Sequence, residues 1–127
     1  MIFGIGTDIV AFDRIEKLHE KYGEIFAKRV LSPSELIEFK NHPQPARLLM
    51  KRFAAKEALA KAAGTGLRHP LTMHSVSVTH DKLGKPEFVF DSELSTHFAG
   101  LGVTRHHLSI SDEREHAVAF VILEREI

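Results

Sequence analysis

The sequence predicts a single α+β domain with a mostly antiparallel sheet, an N-terminal strand, a long central helix and several shorter helices. The patterns run from one strand to helical segments and then to strands joined mainly by hairpins, which differs from a repeated parallel βαβ arrangement. The 127 residues suffice for one compact domain and are too few for two ordinary ones. Because the sequence contains no internal repeat or linker, we expect one domain over residues 1–127.

The first predicted element is a strand over residues 2–10. This stretch is rich in β-branched residues and is interrupted by Gly4 and Gly6, a pattern typical of a strand whose backbone lies close to another element. Asp8 falls near the end of the strand. An acid is therefore expected where the chain leaves the sheet.

Helical patterns follow from residue 13 onward. Gly23 is expected to divide the first pattern into two helices, and Ser32 followed by Pro33 predicts the start of another helix, which ends near Asn41. The apolar face expected for the first two helices consists of Ile15, Leu18, Tyr22 and Phe26.

The longest periodic element is a helix predicted over residues 46–63. It consists of strong helix formers and is stopped by Gly64, Thr65 and Gly66. Leu49 and Phe53 have the spacing of its buried face, so core packing is expected for both.

The remaining chain predicts strands with one inserted helix. Strands over 75–79 and 86–90 form a hairpin, and a short capped helix runs from residue 91 or 92 to residue 99. A strand over 108–111 is followed by a turn at 112–115 and by the last strand, over 117–123. This last strand is apolar on both faces, which places it either in the centre of the sheet or under another subunit.

Composition limits the classes of function. Lysine plus arginine (17) equals aspartate plus glutamate (17), so a nucleic-acid-coating surface is not expected. There is no cysteine, which removes disulfides, thiolate nucleophiles and cysteine-ligated zinc, and the nine histidines show no zinc-ligand spacing. No stretch is apolar enough to span a membrane or to serve as a signal peptide, so a soluble, cytoplasmic protein is expected.

Three motifs carry a family resemblance. They are GIGTDIV at 4–10, RFAAKEA at 52–58 continuing to Lys61 and GTG at 64–66, and HLSIS at 107–111; LGKP at 83–86 also fits. Together they resemble the holo-acyl-carrier-protein synthase family of 4'-phosphopantetheinyl transferases, over nearly the whole chain. The resemblance implies the 4'-phosphopantetheinyl transferase fold.

The resemblance also implies an activity: transfer of phosphopantetheine from coenzyme A to a serine of apo acyl carrier protein, for fatty acid biosynthesis. In the family, Asp8 and Glu57 match the pair that binds Mg²⁺, and Lys61 matches a lysine that contacts the coenzyme A phosphates or assists the chemistry. These three are the expected catalytic residues. The residues expected to contact coenzyme A are Lys61, Gly64, Thr65, Gly66 and Pro86.

The family further implies partners. Acyl carrier proteins are acidic, so Arg14, Lys17 and Lys21 on one helix are expected to form the docking face, with Arg14 matching an arginine of the family. Family members are homotrimers with active sites between subunits. Neither a nucleic acid nor a membrane is an expected partner.

Each site residue also has an ordinary interpretation. Glu57 and Lys61 are four residues apart on one helix, as in a surface ion pair worth about 0.3 to 0.5 kcal/mol, and Asp8 has the position of a strand-end acid bonded to a turn. Gly64 and Gly66 fit a helix cap, and Arg68 and His69 fit a solvated loop.

Two further alternatives concern the whole protein. The helix carrying Arg47, Lys51, Arg52 and Lys56 is compatible with a nucleic-acid-binding module, which the zero net charge disfavours. A transferase acting on the carrier domains of larger synthases is the other.

The catalytic base is open at this point. Asp112 occupies a position where some family members carry a histidine. The candidates for the proton acceptor are Glu57, Asp112 or a metal-bound water, since any carboxylate within hydrogen-bond reach can serve. His106 and His107 flank the third motif, and because neighbouring strand residues face opposite ways, only one of them can face the site.

Overall fold

The structure is a computed structural model and describes residues 1–126. Its elements follow in chain order: β1 (Ile2–Ala11), α1 (Phe12–Tyr22), α2 (Glu24–Val30), α3 (Pro33–Lys40), α4 (Pro45–Ala63), β2 (Val76–His80), β3 (Pro86–Phe90), α5 (Ser92–Gly100), β4 (Val103–Asp112) and β5 (His116–Arg125). The predicted α+β class is confirmed, and most predicted boundaries agree within two residues, but β4 begins at Val103, five residues before the predicted start at Leu108.

The strands form two antiparallel sheets. One has the order β1-β5-β4, and the other is the β2-β3 hairpin. The hairpin meets β4 through a side chain, since the Phe88 amide donates to His106 Nε2 at 3.1 Å. Burial lowers the pKa of His106, which favours the neutral ring that can accept this hydrogen bond.

Helix α4 lies directly on the inner face of the three-stranded sheet. A Cβ atom at Gly4 would lie 1.8 Å from the Ala62 carbonyl oxygen, and one at Gly6 would lie 1.9 Å from the Ala58 oxygen. No other residue type fits at such a separation. The close backbone approach expected for this strand is therefore confirmed, and α4 is the element approached.

Helices α1 to α3 cover the other side of α4. The predicted break at Gly23 is present, and Ser32 caps α3 in a capping box with Glu35. The expected apolar face of α1 and α2 is only partly correct: Ile15 is fully buried, whereas Tyr22 is 47% exposed. Tyr22 lies on the wall of an open groove, which the spacing of residues along one helix cannot reveal.

Strand β5 is the central strand of its sheet, which is one of the two positions that its apolar faces predict. Its inner residues Ala117, Ala119, Val121 and Leu123 are buried against α4 and the core. The outer face of β5 is also apolar. The exposed apolar residues on this face of β1 and β5 are Ile5, Ile9, Val118 and Phe120. No helix in residues 1–126 is long and apolar enough to cross a membrane.

Candidate active site

The three predicted catalytic side chains meet where β1 crosses α4. Side chains alternate along a strand, so Asp8 shares the face of Gly6 and points toward α4. Gly6 packs on the turn of α4 that contains Ala58, and Glu57 precedes this residue. The glycine contacts therefore place Asp8 beside the part of α4 that carries Glu57 and Lys61.

Lys61 binds the end of β1. Its Nζ donates to the Thr7 carbonyl at 2.9 Å and to Asp8 Oδ1 at 3.1 Å. Within residues 1–126, Lys61 forms an ion pair with Asp8 and none with Glu57. The interpretation of Glu57 and Lys61 as a routine helical ion pair is thus wrong for this structure. Lys61 remains 54% exposed and Asp8 16%, so a ligand can reach both.

Glu57 is the unpartnered member of the group. In the described part of the chain its carboxylate accepts no hydrogen bond and forms no ion pair. Burial raises the pKa of the Glu57 carboxyl and the negative charge of Asp8 raises it further, while Lys61 and Arg14 act in the opposite direction. The charge of Asp8 thus acts on Glu57, and a bound cation would relieve this repulsion.

Their chemistry fits magnesium. Mg²⁺ binds oxygen ligands and is usually held by one or two carboxylates, with water and substrate phosphates completing the shell. No group of three or more His, Cys, Asp or Glu side chains suited to a metal occurs in residues 1–126. The two carboxylates of Asp8 and Glu57 are of the chemical type that can hold such an ion.

The predicted glycine loop follows directly on α4. Gly64 caps the helix in the left-handed conformation with φ +79°, and Gly66 has φ +69°, so both need glycine for their backbone. Thr65 Oγ1 donates to the Gly66 carbonyl at 2.9 Å. The helix-cap interpretation is confirmed. The loop also lines a cavity of about 460 Å³ together with Arg68, His69 and His97.

Pro86 lies apart from this group. It begins β3 and lines a different cavity, of about 340 Å³, beside His106 and His107. None of Asp8, Glu57 and Lys61 lines that cavity. Within one chain, the structure does not bring Pro86 to the carboxylate pair, because the hairpin forms a separate sheet.

The predicted docking residues all lie on the exposed side of α1. The Arg14 guanidinium lies 5.5 Å from the centre of the Phe53 ring, and its charge also acts on Glu57. Lys17 pairs with Asp13 at 3.0 Å, and Lys21 lies over the Tyr22 ring. Arg14 is the one of the three that borders the carboxylate pair.

An apolar groove beside Glu57 escaped the sequence prediction. It encloses about 590 Å³ between α1, α2, α4 and the segment that follows α4; the lining includes Tyr22, Phe26, Val30, Phe53, Glu57 and Met73. Phe53 is consequently half-buried on the groove wall, whereas Leu49 is in the core as predicted. Phe53 lies four positions before Glu57 on the same helix. A core residue would show the same spacing, so the sequence alone does not reveal the groove.

Asp112 belongs to a clamp at the β4–β5 turn. Arg47 Nη1 donates to Asp112 Oδ2 at 3.1 Å and to the Glu113 carbonyl at 2.8 Å, and Nη2 donates to the Arg114 carbonyl at 3.0 Å. The carboxylate of Asp112 is thus engaged by a guanidinium, whereas that of Glu57 is not.

The two adjacent histidines face opposite ways, as expected for a strand. His106 contacts the hairpin, and His107 Nε2 pairs with Glu124 Oε2 at 2.6 Å. Neither lies beside Glu57 in this chain.

The basic face proposed for nucleic acid is absent from α4. Arg52 and Lys56 are buried, and Arg47 is engaged by the turn. That sequence alternative is therefore contradicted, because two of its four cations do not reach solvent.

Comparisons with known proteins agree on one family. Residues 4–121 match the model of the 4'-phosphopantetheinyl transferase superfamily. A holo-[acyl-carrier-protein] synthase of Nitrosospira multiformis is 60% identical over 125 residues, which cover 98% of this chain and 100% of that protein. The crystal structure of the Neisseria meningitidis synthase has a TM-score of 0.95 and 49% identity, covering 98% of this chain and 100% of that one. A Bacillus anthracis synthase in complex with CoA (3',5'-ADP) has a TM-score of 0.81 and 36% identity, covering 99% of each chain.

Proposed function

This chain belongs to the 4'-phosphopantetheinyl transferase superfamily, and we propose that it is a magnesium-dependent holo-acyl-carrier-protein synthase. It transfers 4'-phosphopantetheine from coenzyme A to a serine of apo acyl carrier protein and releases adenosine 3',5'-bisphosphate. The observation that carries the proposal is the convergence of Asp8, Glu57 and Lys61 on one exposed spot in a chain that matches the synthases end to end.

The residues of this spot suit displacement at the β-phosphorus of coenzyme A. The serine hydroxyl attacks, a phosphodiester forms, and the leaving phosphate takes up negative charge. Lys61 provides an ammonium that Thr7 and Asp8 hold in place, so it stabilises charge on the phosphates without first having to be ordered. Residues 64–66 border the same end of α4 and admit a close backbone approach of the ligand.

Asp8 and Glu57 would hold Mg²⁺, which supplies Lewis-acid polarisation of a phosphate oxygen when bound. Among the two carboxylates considered as proton acceptor, the structure favours Glu57 over Asp112. Among residues 1–126 the Glu57 carboxylate has no hydrogen-bond or ion-pair partner, so it is free to accept the proton of an attacking hydroxyl. The carboxylate of Asp112 is bound by Arg47.

The acidic carrier protein docks along α1 in this proposal. Arg14 borders both Glu57 and the apolar groove, so a carrier held there presents its serine to the carboxylate pair. Lys17 and Lys21 extend the positive face along the helix. Carrier domains of larger synthases have the same chemistry and remain a second class of substrate.

A homotrimer is part of the proposal. Ile5, Ile9, Val118 and Phe120 are exposed on the outer face of β1 and β5, and exposed apolar patches often mark protein–protein contacts, so assembly would cover this face. A site between subunits would also give Pro86 a role that it does not have within one chain. Sedimentation at micromolar concentration should show a trimer, and a wild-type monomer would contradict this part of the proposal.

Mass spectrometry of apo acyl carrier protein tests the activity. Incubation with wild-type enzyme, coenzyme A and Mg²⁺ should add one phosphopantetheine group to the carrier, and a chelator should prevent it. Asp8→Ala and Glu57→Ala should show no transfer. Asp13→Ala is the matched control, since Asp13 is an exposed acid of α1 that pairs with Lys17, and it should retain activity. Full activity in Asp8→Ala or Glu57→Ala would refute the metal assignment.

A further inference from the structure

A buried ammonium lies one residue before Glu57 on α4. Lys56 has 0% of its surface exposed, and each of its three donors has a partner: the Val30 carbonyl at 2.9 Å, Glu35 Oε1 at 2.5 Å and the Met73 carbonyl at 2.7 Å. These partners end α2, belong to α3, and precede β2. One cation therefore joins three other segments to α4.

Glu35 is equally enclosed. It is 2% exposed, and besides Lys56 it accepts hydrogen bonds from the Ser32 and Val78 amides, each at 2.9 Å. Burial lowers the pKa of Lys56, and the charge of Glu35 opposes this shift. A buried ion pair of this kind is weak evidence for stability, since two apolar residues of similar volume often serve as well. Stability therefore does not explain why Lys56 bonds to the Val30 and Met73 carbonyls in particular.

That explanation lies in the groove. Val30 and Met73, whose carbonyls Lys56 holds, both line the apolar groove, and Glu57 lines it too. Val30 comes from α2 and Met73 from the segment that follows α4, so neither belongs to the helix that carries Glu57. Helix α4 thus fixes two walls of the groove through Lys56, on the side away from solvent, and presents Glu57 to the groove through the next residue.

We propose that Lys56 is a positioning residue that sets the shape of the apolar groove relative to Glu57, and so sets the fit of the carrier protein. Lys56 cannot contact a substrate, because it is fully enclosed and its donors are all used. The inference rests on the proposed function for the part that concerns the carrier protein. Its structural part, the anchoring of the two walls, can be tested without any activity.

Lys56→Met tests the proposal, because it keeps an unbranched side chain and removes the ammonium. Without the ammonium the groove walls are no longer anchored, and binding of the carrier protein must order them. The KM for apo carrier protein should therefore rise about tenfold, while the KM for coenzyme A stays unchanged. Amide hydrogen exchange of the uncomplexed enzyme should become faster at residues 30–32 and 73–75.

Arg52→Met is the matched control. Arg52 is also a buried cation of α4, but its described partners are Glu35 and Glu38 rather than the groove walls. Because Arg52 bonds neither groove wall among the described residues, its removal should raise the carrier KM much less than Lys56→Met does. Equal carrier KM values in Lys56→Met and Arg52→Met, or unchanged exchange at both wall segments, would overturn the proposal.

A second variant keeps the proposal testable if Lys56→Met does not fold. Glu35→Gln combined with Lys56→Met removes both charges of the Lys56–Glu35 pair and leaves no lone carboxylate, while Arg52 keeps Glu38 as its partner. This double variant should show the same rise in carrier KM and the same faster exchange, and wild-type values in it would overturn the proposal equally. Absence of transfer by the wild type would instead refute the proposed function, and the exchange comparison would still decide whether Lys56 anchors the walls.

Discussion

Two lysines of α4 have opposite surroundings, although each pairs with a carboxylate. Lys61 is 54% exposed and binds Asp8 at the end of β1, where a ligand can approach. Lys56 is fully buried and binds Glu35 and two backbone carbonyls. An exposed ion pair contributes little to stability, so the Lys61 pair is available for chemistry. The buried pair instead orders the chain around the site.

The carboxylates show the same contrast. Glu35 uses both of its oxygens on protein donors, whereas Glu57 has none among the described residues. A fully bonded acid holds segments together, and an unpartnered acid close to another carboxylate is ready to bind a cation. The two regions therefore predict different responses to mutation: loss of stability for the buried cluster, and loss of activity for the exposed one.

The largest effect should come from Glu35→Ala. It leaves Lys56 buried without its carboxylate and removes the acceptor of two amides, so the free energy of unfolding should fall by about 3 to 5 kcal/mol. Urea denaturation monitored by circular dichroism measures this. Glu24→Ala is the control: Glu24 is half-exposed and pairs with the exposed Lys40, and its loss should cost under about 1 kcal/mol. Equal losses would remove the distinction between the regions.

Lys61→Ala should show the reverse pattern. Removing the ammonium should lower kcat about 100-fold, as for loss of one preorganised donor to developing charge, and should leave the urea midpoint close to that of wild type. Steady-state transfer assays at saturating coenzyme A measure the first quantity. Lys17→Ala, which removes a more exposed lysine paired with Asp13, should retain its kcat. A kcat near the wild-type value in Lys61→Ala would refute its catalytic role.

Arg14→Glu should raise the carrier-protein KM about tenfold at low salt by reversing a charge at the docking face. The KM for coenzyme A should not change. Lys21→Glu, at the far end of α1, provides a graded control with a smaller expected effect. Unchanged kinetics in Arg14→Glu at low salt would remove the docking assignment.

The smallest effect concerns stability and pH at Glu57. Because its folded pKa is raised, the stability that Glu57 contributes is present below the ordinary pKa of glutamate and is lost as the pH rises through the folded pKa. Glu57→Gln should therefore raise Tm slightly at pH 7 in the presence of chelator, and this gain should vanish in acid. Glu20→Gln, on exposed α1, should show no such gain. A lower Tm at pH 7 in Glu57→Gln would contradict the electrostatic account.

Local patterns were sufficient for most of the fold. The helix formers between Pro45 and Ala63, the capping residues at Ser32, and the alternation in the hairpin each depend on neighbours in sequence, and the elements appear where these patterns predict them. Gly4 and Gly6 also indicate a close approach, although the sequence does not specify which element approaches. The division of the strands into two sheets depends on long-range pairing, which alternation alone does not encode.

For the site, the sequence and the structure supply different kinds of information. Motif resemblance singled out Asp8, Glu57 and Lys61, and local spacing added only that Glu57 and Lys61 share a helix face. The sequence by itself thus determined the elements and the residue types that the chemistry needs. Only the tertiary structure decided that Lys61 turns to Asp8 while Lys56 turns inward, because burial and partners are set by which distant segments pack against each side of α4.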